Sequence, residues 1–512
     1  MIYRSFQTTT LLFAVMGLLV AGSGQTVNAA ALQMEPTITE AIDVYIMEQM
    51  DSLKIPGVAV GVVRGDQVVY LQGYGVADET GRTITPQTPF LIASLSKSFT
   101  ALGIMQLIEE GRLELDAPVQ RYLPWFQVAE EEASAQITIR HLLNQTSGFS
   151  EREGYIRNLD RNPADSALET SVRNLNTQSL NSPAGAAFEY SNTNYDVLGL
   201  VIQTVTGQSY ETYVQDRIFT PLSMKDSYTS LADARAARMS RGYYSFFGIP
   251  VTYDHVMPYS RTVLPSAGLF SSAEDLTHYL IAHLNQGHYQ GNSILSPAGM
   301  DELHAPAAQI GDAVSYAMGW VVFPFPDAIS EAGDPVPTAI SHGGQWAGFE
   351  GNMVLIPEQD LGVVVLVNKS DPASGSAFSN LGWNISLLAL GLEPVNYPTA
   401  DFITRNGRGL LVGVILLLGV ALTWSARKIR RLSLQDGTDA PRSRKLINQM
   451  ILLTLVDLTL AGWLLFIKLP DDNDTLTLAL RFNPDIGLMY ILLLALTLGG
   501  SFLRTILLIM YV

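Results

Sequence analysis

Two β-rich runs about a Gly-Asp turn, GVAVGVVRGDQVVYLQGYGVAD at residues 57–78, predict a hairpin early in the chain. The pattern returns late, as strand, proline-containing turn and strand in EGNMVLIPEQDLGVVVLVNKS at 350–370, with another strand predicted in YAMGWVVF at 316–323. Between these ends the apolar period lengthens to that of helices, over 97–110, 194–206 and 272–284. Strands at both ends around a helical insertion predict an α+β domain that closes one sheet, beside an all-α lobe. A cleft, and with it the site, belongs at their junction.

Longer apolar runs flank this block. Arg4 followed by Leu11 to Val20, with small residues around Val27-Asn28-Ala29 and Ala29-Ala30-Ala31, predicts a cleaved signal peptide over 1–30. Three further runs, 409–426, 446–469 and 486–512, predict transmembrane helices at about 20 residues per bilayer core. The loop 427–445 carries seven Lys/Arg and two Asp, whereas 470–485 carries four Asp and one Arg. The basic loop is therefore expected on the cytoplasmic side and the acidic one outside. That orientation places the main block outside, as the signal peptide independently requires. Asp457 falls in mid-span, where an acid is either functional or a packing group, and Arg504 is the candidate partner for packing.

The net charge of −17 over 512 residues argues against a nucleic-acid partner, whose binding surfaces are basic. The absence of cysteine excludes disulfides and a cysteine-linked lipid, and with export it fits a bacterial envelope protein. Attachment to the cell membrane then rests on helices alone.

Candidate chemistry starts at Ser94-Leu95-Ser96-Lys97, at the entry of the helix predicted over 97–110. Ser94 and Lys97 share a helical face, and the helix N-terminus favours a developing alkoxide. Lys97 can accept the serine proton only where burial or a cationic neighbour destabilises its ammonium. The tetrad alone also describes a polar helix start, and Ser425-Ala426-Arg427-Lys428 is a decoy placed at a helix end facing the cytoplasmic lipid interface. Two further signals follow. Tyr190-Ser191-Asn192 precedes the second predicted helix; a tyrosine beside an ammonium can have its pKa lowered enough to shuttle a proton, and an asparagine can bind an amide carbonyl. His342-Gly343-Gly344 sits at a strand end, where glycines admit a substrate backbone and a histidine can be cationic beside a carboxylate.

These three elements, in this order and about 95 and 150 residues apart, resemble the serine β-lactamase and penicillin-binding-protein superfamily, in its class C β-lactamase, DD-peptidase and esterase branch. IRHLLNQTSGF (139–149), LPSAGLFSSAEDLTHYL (264–280) and YAMGWVV (316–322) are similar to its connecting segments, and the resemblance covers about residues 38–392. It implies an antiparallel sheet flanked by helices plus an all-α lobe, occupying 31–400, followed by the three-helix membrane region. It implies that Ser94 is acylated, that Lys97 and Tyr190 carry its proton, and that Asn192 binds the substrate amide. The His342-Gly343-Gly344 edge would align the substrate, and the backbone N–H groups of Ser94 and Gln345 would form the oxyanion hole. No metal or cofactor is implied.

One departure matters: class C β-lactamases carry lysine where His342 stands, and some D-amino-acid peptidases of the branch carry histidine. Other hydrolase signatures are missing, with no G-x-S-x-G and no H-E-x-x-H. His278 and His283 are five apart, off a common helical face, and are expected at the surface; His141 is expected to be structural. The resulting expectation is a membrane-anchored exported serine hydrolase acting on small D-amino-acid peptides or esters, with β-lactams among its possible ligands. The alternatives are an esterase with the same site and a penicillin-type sensor signalling through the helices.

Overall fold

The computed structural model describes residues 34–157, 160, 162–252, 260–325, 336–346, 348–370, 377–395, 402–432, 440–462 and 484–511. The predicted signal peptide lies outside them, as do 433–439 of the basic loop and 470–483 of the acidic one. The chain forms two compact units, one of residues up to 244 with 250–399 and one of 245–249 with 400–512.

The first unit is built on eight strands: β1 (Gly57–Arg64), β2 (Gln67–Gly75), β3 (Ala308–Gly311), β4 (Val314–Tyr316), β5 (Val321–Pro324), β6 (Thr338–Trp346), β7 (Phe349–Ile356) and β8 (Leu361–Val367). They form one antiparallel sheet in the order β2-β1-β8-β7-β6-β5-β4-β3, so the early hairpin joins the late strands through β1 and β8. Both ends of the chain pattern thus close one sheet, as predicted. The run 316–323 is not one strand, however. It turns at Ala317–Trp320 between β4 and β5, where Gly319 has φ +81° and a Cβ would come within 3.0 Å of Ser98 Cα. A positive φ and backbone that close leave no room for a side chain there.

Helices cover both faces, which is why β1 and β8 read as continuous apolar runs rather than alternations. Val58, Val60 and Val62 of β1 pack with Ile42 and Ile46 of α1 (Pro36–Leu53) and with Leu381 and Ile385, which lie on a C-terminal helix of this unit. On the other face Gly61 lets a helix approach so closely that a Cβ would stand 2.4 Å from Thr277 Cγ2. The intervening chain supplies α2 (Ser96–Glu109), α3 (Glu151–Arg157), α4 (Asn192–Thr206), α5 (Leu264–Ala267) and α6 (Ala273–Leu284), and the helix that holds Leu381 is α7 (Ser379–Ala389). The three helices read from periodicity begin and end within one or two residues of prediction. Caps explain the ends: Ser272 Oγ accepts from Asp275 N–H at 3.1 Å to start α6, and Gly207, at φ +73°, stops α4. Helix α2 is buried from Ser96 to Leu107, the central helix of the unit.

The second unit contains α8 (Phe402–Leu432), α9 (Ala440–Gly462) and α10 (Pro484–Tyr511). Two stretches, Arg408–Arg427 and Asp485–Ile506, are long and apolar enough to cross a membrane. The third predicted span differs: Asn448–Gly462 is a shorter apolar helix, and 463–469 lies outside the described residues. Asp457 does pair with Arg504, both buried between helices, and the Arg504 guanidinium also donates to Ser425 Oγ at 3.4 Å. Ser425 is buried within the unit, where its hydroxyl donates to the Ala421 carbonyl and accepts from Arg504. At the other end of these helices Arg408 Nε donates to Asp485 at 2.6 Å.

Candidate active site

Ser94 lies in a single 3₁₀ turn, Ala93–Leu95, between the short strand Phe90–Leu91 and α2. Ala93 has φ +48°, a left-handed backbone that an alanine adopts only where its surroundings enforce it. Two bonds through Ser96 do so: its hydroxyl donates to the Ala93 carbonyl at 2.7 Å and accepts from Leu269 N–H at 3.1 Å. Ser96 is thus a buried fastener, while Ser94 alone in that stretch is partly exposed.

Lys97 is fully buried, and its Nζ meets three acceptors: Asn192 Oδ1 at 2.6 Å, the Ser266 carbonyl at 2.9 Å and Ser94 Oγ at 3.2 Å. Burial lowers its pKa to about 7, against the opposing pull of the Asp196 charge. A neutral amine keeps two N–H groups and gains a lone pair. The two shorter bonds go to groups that can only accept, so the lone pair falls toward the Ser94 hydroxyl, which can donate.

Tyr190 completes this corner, with its ring centroid 4.7 Å from Lys97 Nζ and its phenol hydrogen-bonded to Ser94. The expected lowering of its pKa is not found: burial raises it well above the usual phenol value, and the Ser94 bond only partly opposes this. Lys97 supplies no lowering because the phenol titrates only far above the pH range in which Lys97 is charged. Tyr190 is therefore a protonated phenol, a donor. Asn192 is buried and turns its carboxamide oxygen to Lys97.

Strand β6 brings the third element. Its partner β5 pairs only from Thr338 to Ser341, so residues 342–346 are paired to β7 on one side alone among the described residues. At Gly344 a Cβ would stand 2.4 Å from the Ile92 carbonyl oxygen and 3.1 Å from Ser94 N. Only glycine lets the strand lie this close to the serine turn. Gly344→Ala is expected to push β6 outward, lower acylation by about 10²-fold, the effect of an ångström-scale misplacement, and lower the melting temperature as well, because the new Cβ meets backbone that cannot give way cheaply. Stopped-flow acylation and a thermal melt check it. Gly343 and Gln345 are exposed on the same strand, and Gln345 Nε2 donates to Glu350 Oε1 at 2.8 Å.

His342 departs from the cationic expectation. Burial, then the nearby Lys97 charge, lower its pKa to about 3, so the ring is neutral. Its Nδ1–H donates to the Gly343 carbonyl at 2.6 Å, leaving Nε2 as an acceptor 3.5 Å from the Tyr316 hydroxyl. A carboxylate docking at Nε2 must bring a proton with it. KM for a D-Ala-D-Ala peptide is therefore expected to rise with pH through neutrality, while KM for an uncharged ester stays level. His342→Gln should flatten the peptide curve.

The structure also brings in residues that motif reading passed over. Gln145, at φ +59°, grips both sides of Tyr190: its carbonyl accepts from Glu189 N–H at 2.9 Å and its Oε1 from Ser191 N–H at 3.0 Å. It was visible only as part of a connecting segment. Asp196 is buried one turn after Asn192 on α4; its i+4 spacing placed it on the motif face and could have flagged it. Among the other histidines, His141 is structural as expected, closing a capping box with Thr138. His283 is not a surface residue. It is buried against Tyr279 and Trp320 with Nδ1 2.9 Å from His304 Nε2, and His278 is half-buried, because α6 is covered on more than one side.

An antiparallel sheet covered by helices, with a buried Ser-x-x-Lys helix at its centre, defines the class of serine β-lactamases and penicillin-binding proteins. The β-lactamase family model matches residues 42–381, well over half of the chain, and the protein belongs to that family. Protein flp of Staphylococcus aureus strain MW2 is 32% identical over 343 residues, a match covering 64% of this chain and 63% of that protein. The match thus leaves more than a third of that relative uncovered. Penicillin-binding protein 4 of Amycolatopsis lactamdurans is 29% identical over 53% of this chain and 72% of its own length. Among solved structures, the octameric penicillin-binding protein homologue from Pyrococcus abyssi superposes with a TM-score of 0.59 at 29% identity, over 69% of this chain and 78% of that one. D-alanine carboxypeptidase AmpC from Burkholderia cenocepacia shares the fold, with a TM-score of 0.56 at 23% identity over 68% and 98%.

Proposed function

We propose that this protein is an exported, membrane-anchored serine hydrolase that acts through an acyl-enzyme on D-amino-acid peptides of the peptidoglycan type. Residues 31–400 would work outside the membrane and the helices beyond would anchor them. The observation that carries the reading is Lys97 Nζ, buried and near neutral, 3.2 Å from Ser94 Oγ with its other bonds committed to acceptors. Lys97 takes the hydroxyl proton as Ser94 Oγ bonds to the substrate carbonyl carbon, and the carbonyl π pair moves to its oxygen. Backbone N–H groups of Ser94 and Gln345 receive that oxyanion. On collapse the C–N bond breaks, and the proton passes by way of the Tyr190 phenol to the leaving amine. Water then repeats the sequence in reverse roles and frees Ser94.

The open edge of β6 supports a peptide as substrate, since an extended backbone can add there as a further strand. The penicillin-binding relatives support a D-amino-acid terminus. Mass spectrometry of the full chain in detergent, after a fluorescent penicillin, a D-Ala-D-Ala peptide and a p-nitrophenyl ester, tests it. A transient Ser94 adduct with steady peptide hydrolysis is expected. Turnover of the ester alone would make the protein an esterase, a permanent adduct would make it a sensor, and no adduct at Ser94 would overturn the reading.

A further inference from the structure

Behind the amine that faces Ser94 lies a carboxyl group that the motifs leave unused. Asp196 is 2% exposed, and neither oxygen has a hydrogen-bond partner of good geometry among the described residues, although the Ser266 hydroxyl lies near enough to oppose part of the effect of burial. It stands one turn along α4 from Asn192, whose Oδ1 holds Lys97 Nζ at 2.6 Å. Most of the candidate donor atoms around it are engaged elsewhere, Arg157 Nε excepted. The Ser266 hydroxyl donates to the Val263 carbonyl at 3.2 Å, and the Arg157 Nη groups donate to the Ser171 carbonyl at 2.8 Å and Gln178 Oε1 at 3.1 Å. An unpaired buried carboxylate is costly, so this group must either hold a proton or answer to a buried cation.

We propose that Asp196 and Lys97 share one proton between them, so that the Asp196 carboxyl acts as a positioning residue that governs how readily Lys97 can take the hydrogen of Ser94. The inference rests on the proposed role of Lys97 as the base. In one form the pair is ammonium and carboxylate; in the other it is amine and carboxylic acid, with the same net charge. Burial disfavours the first form for both partners, raising the Asp196 pKa to about 7 and lowering that of Lys97 to about 7, while their mutual attraction works the other way. The amine form is the one that accepts from Ser94, so the pair can arm the base with no net change in buried charge.

The other groups facing this pair do not replace Asp196. Arg157 from α3 is half-buried and acts on Asp196 as a second positive charge. Tyr190, Tyr195, Tyr210 and Tyr316 are buried phenols with raised pKa values, and His342 is neutral. Asp196 is the negative charge that favours the ammonium form of Lys97.

The test is the pH profile of kcat/KM for a p-nitrophenyl ester, measured on the full chain in detergent. In the parent protein the acid limb should report the loss of the neutral amine near pH 7. Asp196→Asn removes the charge that favours the ammonium, so the limb should move about one pH unit or more toward acid. The plateau should stay within about tenfold of the parent. A uniform loss of rate with the limb unmoved would overturn the proposal, since that is the mark of a purely structural residue. If Asp196→Asn does not fold, Asp196→Ser is read by the same two outcomes. Ser94→Ala runs alongside: hydrolysis that survives it removes the proposed function itself. A silent Ser94→Ala with an unmoved limb removes only the role of Asp196.

Discussion

Ser94→Ala is expected to abolish covalent capture of a penicillin and to lower kcat for any turned-over ester or peptide by about 10⁶-fold, the loss seen when an acyl-enzyme nucleophile is removed. The hydroxyl is the partly exposed group of an otherwise buried turn, and its contacts are Lys97 Nζ at 3.2 Å and the Tyr190 phenol, the groups proposed to carry its proton. The turn itself is tied by Ser96, so the variant should melt within a degree or two of the parent, as exposed positions with no structural bond do. Intact-mass spectrometry after penicillin and steady-state hydrolysis measure it. Capture that persisted in the alanine protein would place the nucleophile elsewhere.

The second large effect is expected at Lys97. Lys97→Met keeps the length of the stem but removes the amine, and acylation should fall by about 10²–10⁴-fold, the usual worth of a positioned general base. What remains should lose the acid limb near pH 7, because the group that titrates there is gone. Asn192 Oδ1 and the Ser266 carbonyl each lose a donor, at about 1–3 kcal/mol apiece, offset by no longer burying an ionisable amine. Stopped-flow acylation across pH measures both features together. A fall in rate with the limb retained would show that another group titrates.

The corrections share a cause. Tyr190 was expected with a lowered pKa and His342 with a positive charge, on the strength of neighbours inferred from motif order. Both are instead governed by desolvation, which depends on how many atoms surround a group and not on which residue precedes it. His283 is expected at the surface because its five-residue spacing from His278 takes the pair off a common helical face. In the fold its ring meets Trp320 and His304. The run at 316–323 reads as one apolar strand, and only the backbone of α2 against Gly319 shows why it must turn. Gln145 and Asp196 carry no motif, and their relevance comes from what they touch or face.

The order and type of the elements were determined by the chain alone, because the period of apolar residues and the caps that end each helix are local properties. So was the set of chemically able side chains at Ser94, Lys97, Tyr190, Asn192 and His342, since each sits in a short motif that survives without its partners. The protonation states of those groups, the one-sided pairing of β6 at 342–346 among the described residues, the clearance at Gly344 and the bond from Lys97 to Asn192 were decided only by tertiary structure. Each depends on segments 90 to 250 residues apart coming within a few ångströms and excluding water, and no local pattern encodes that exclusion.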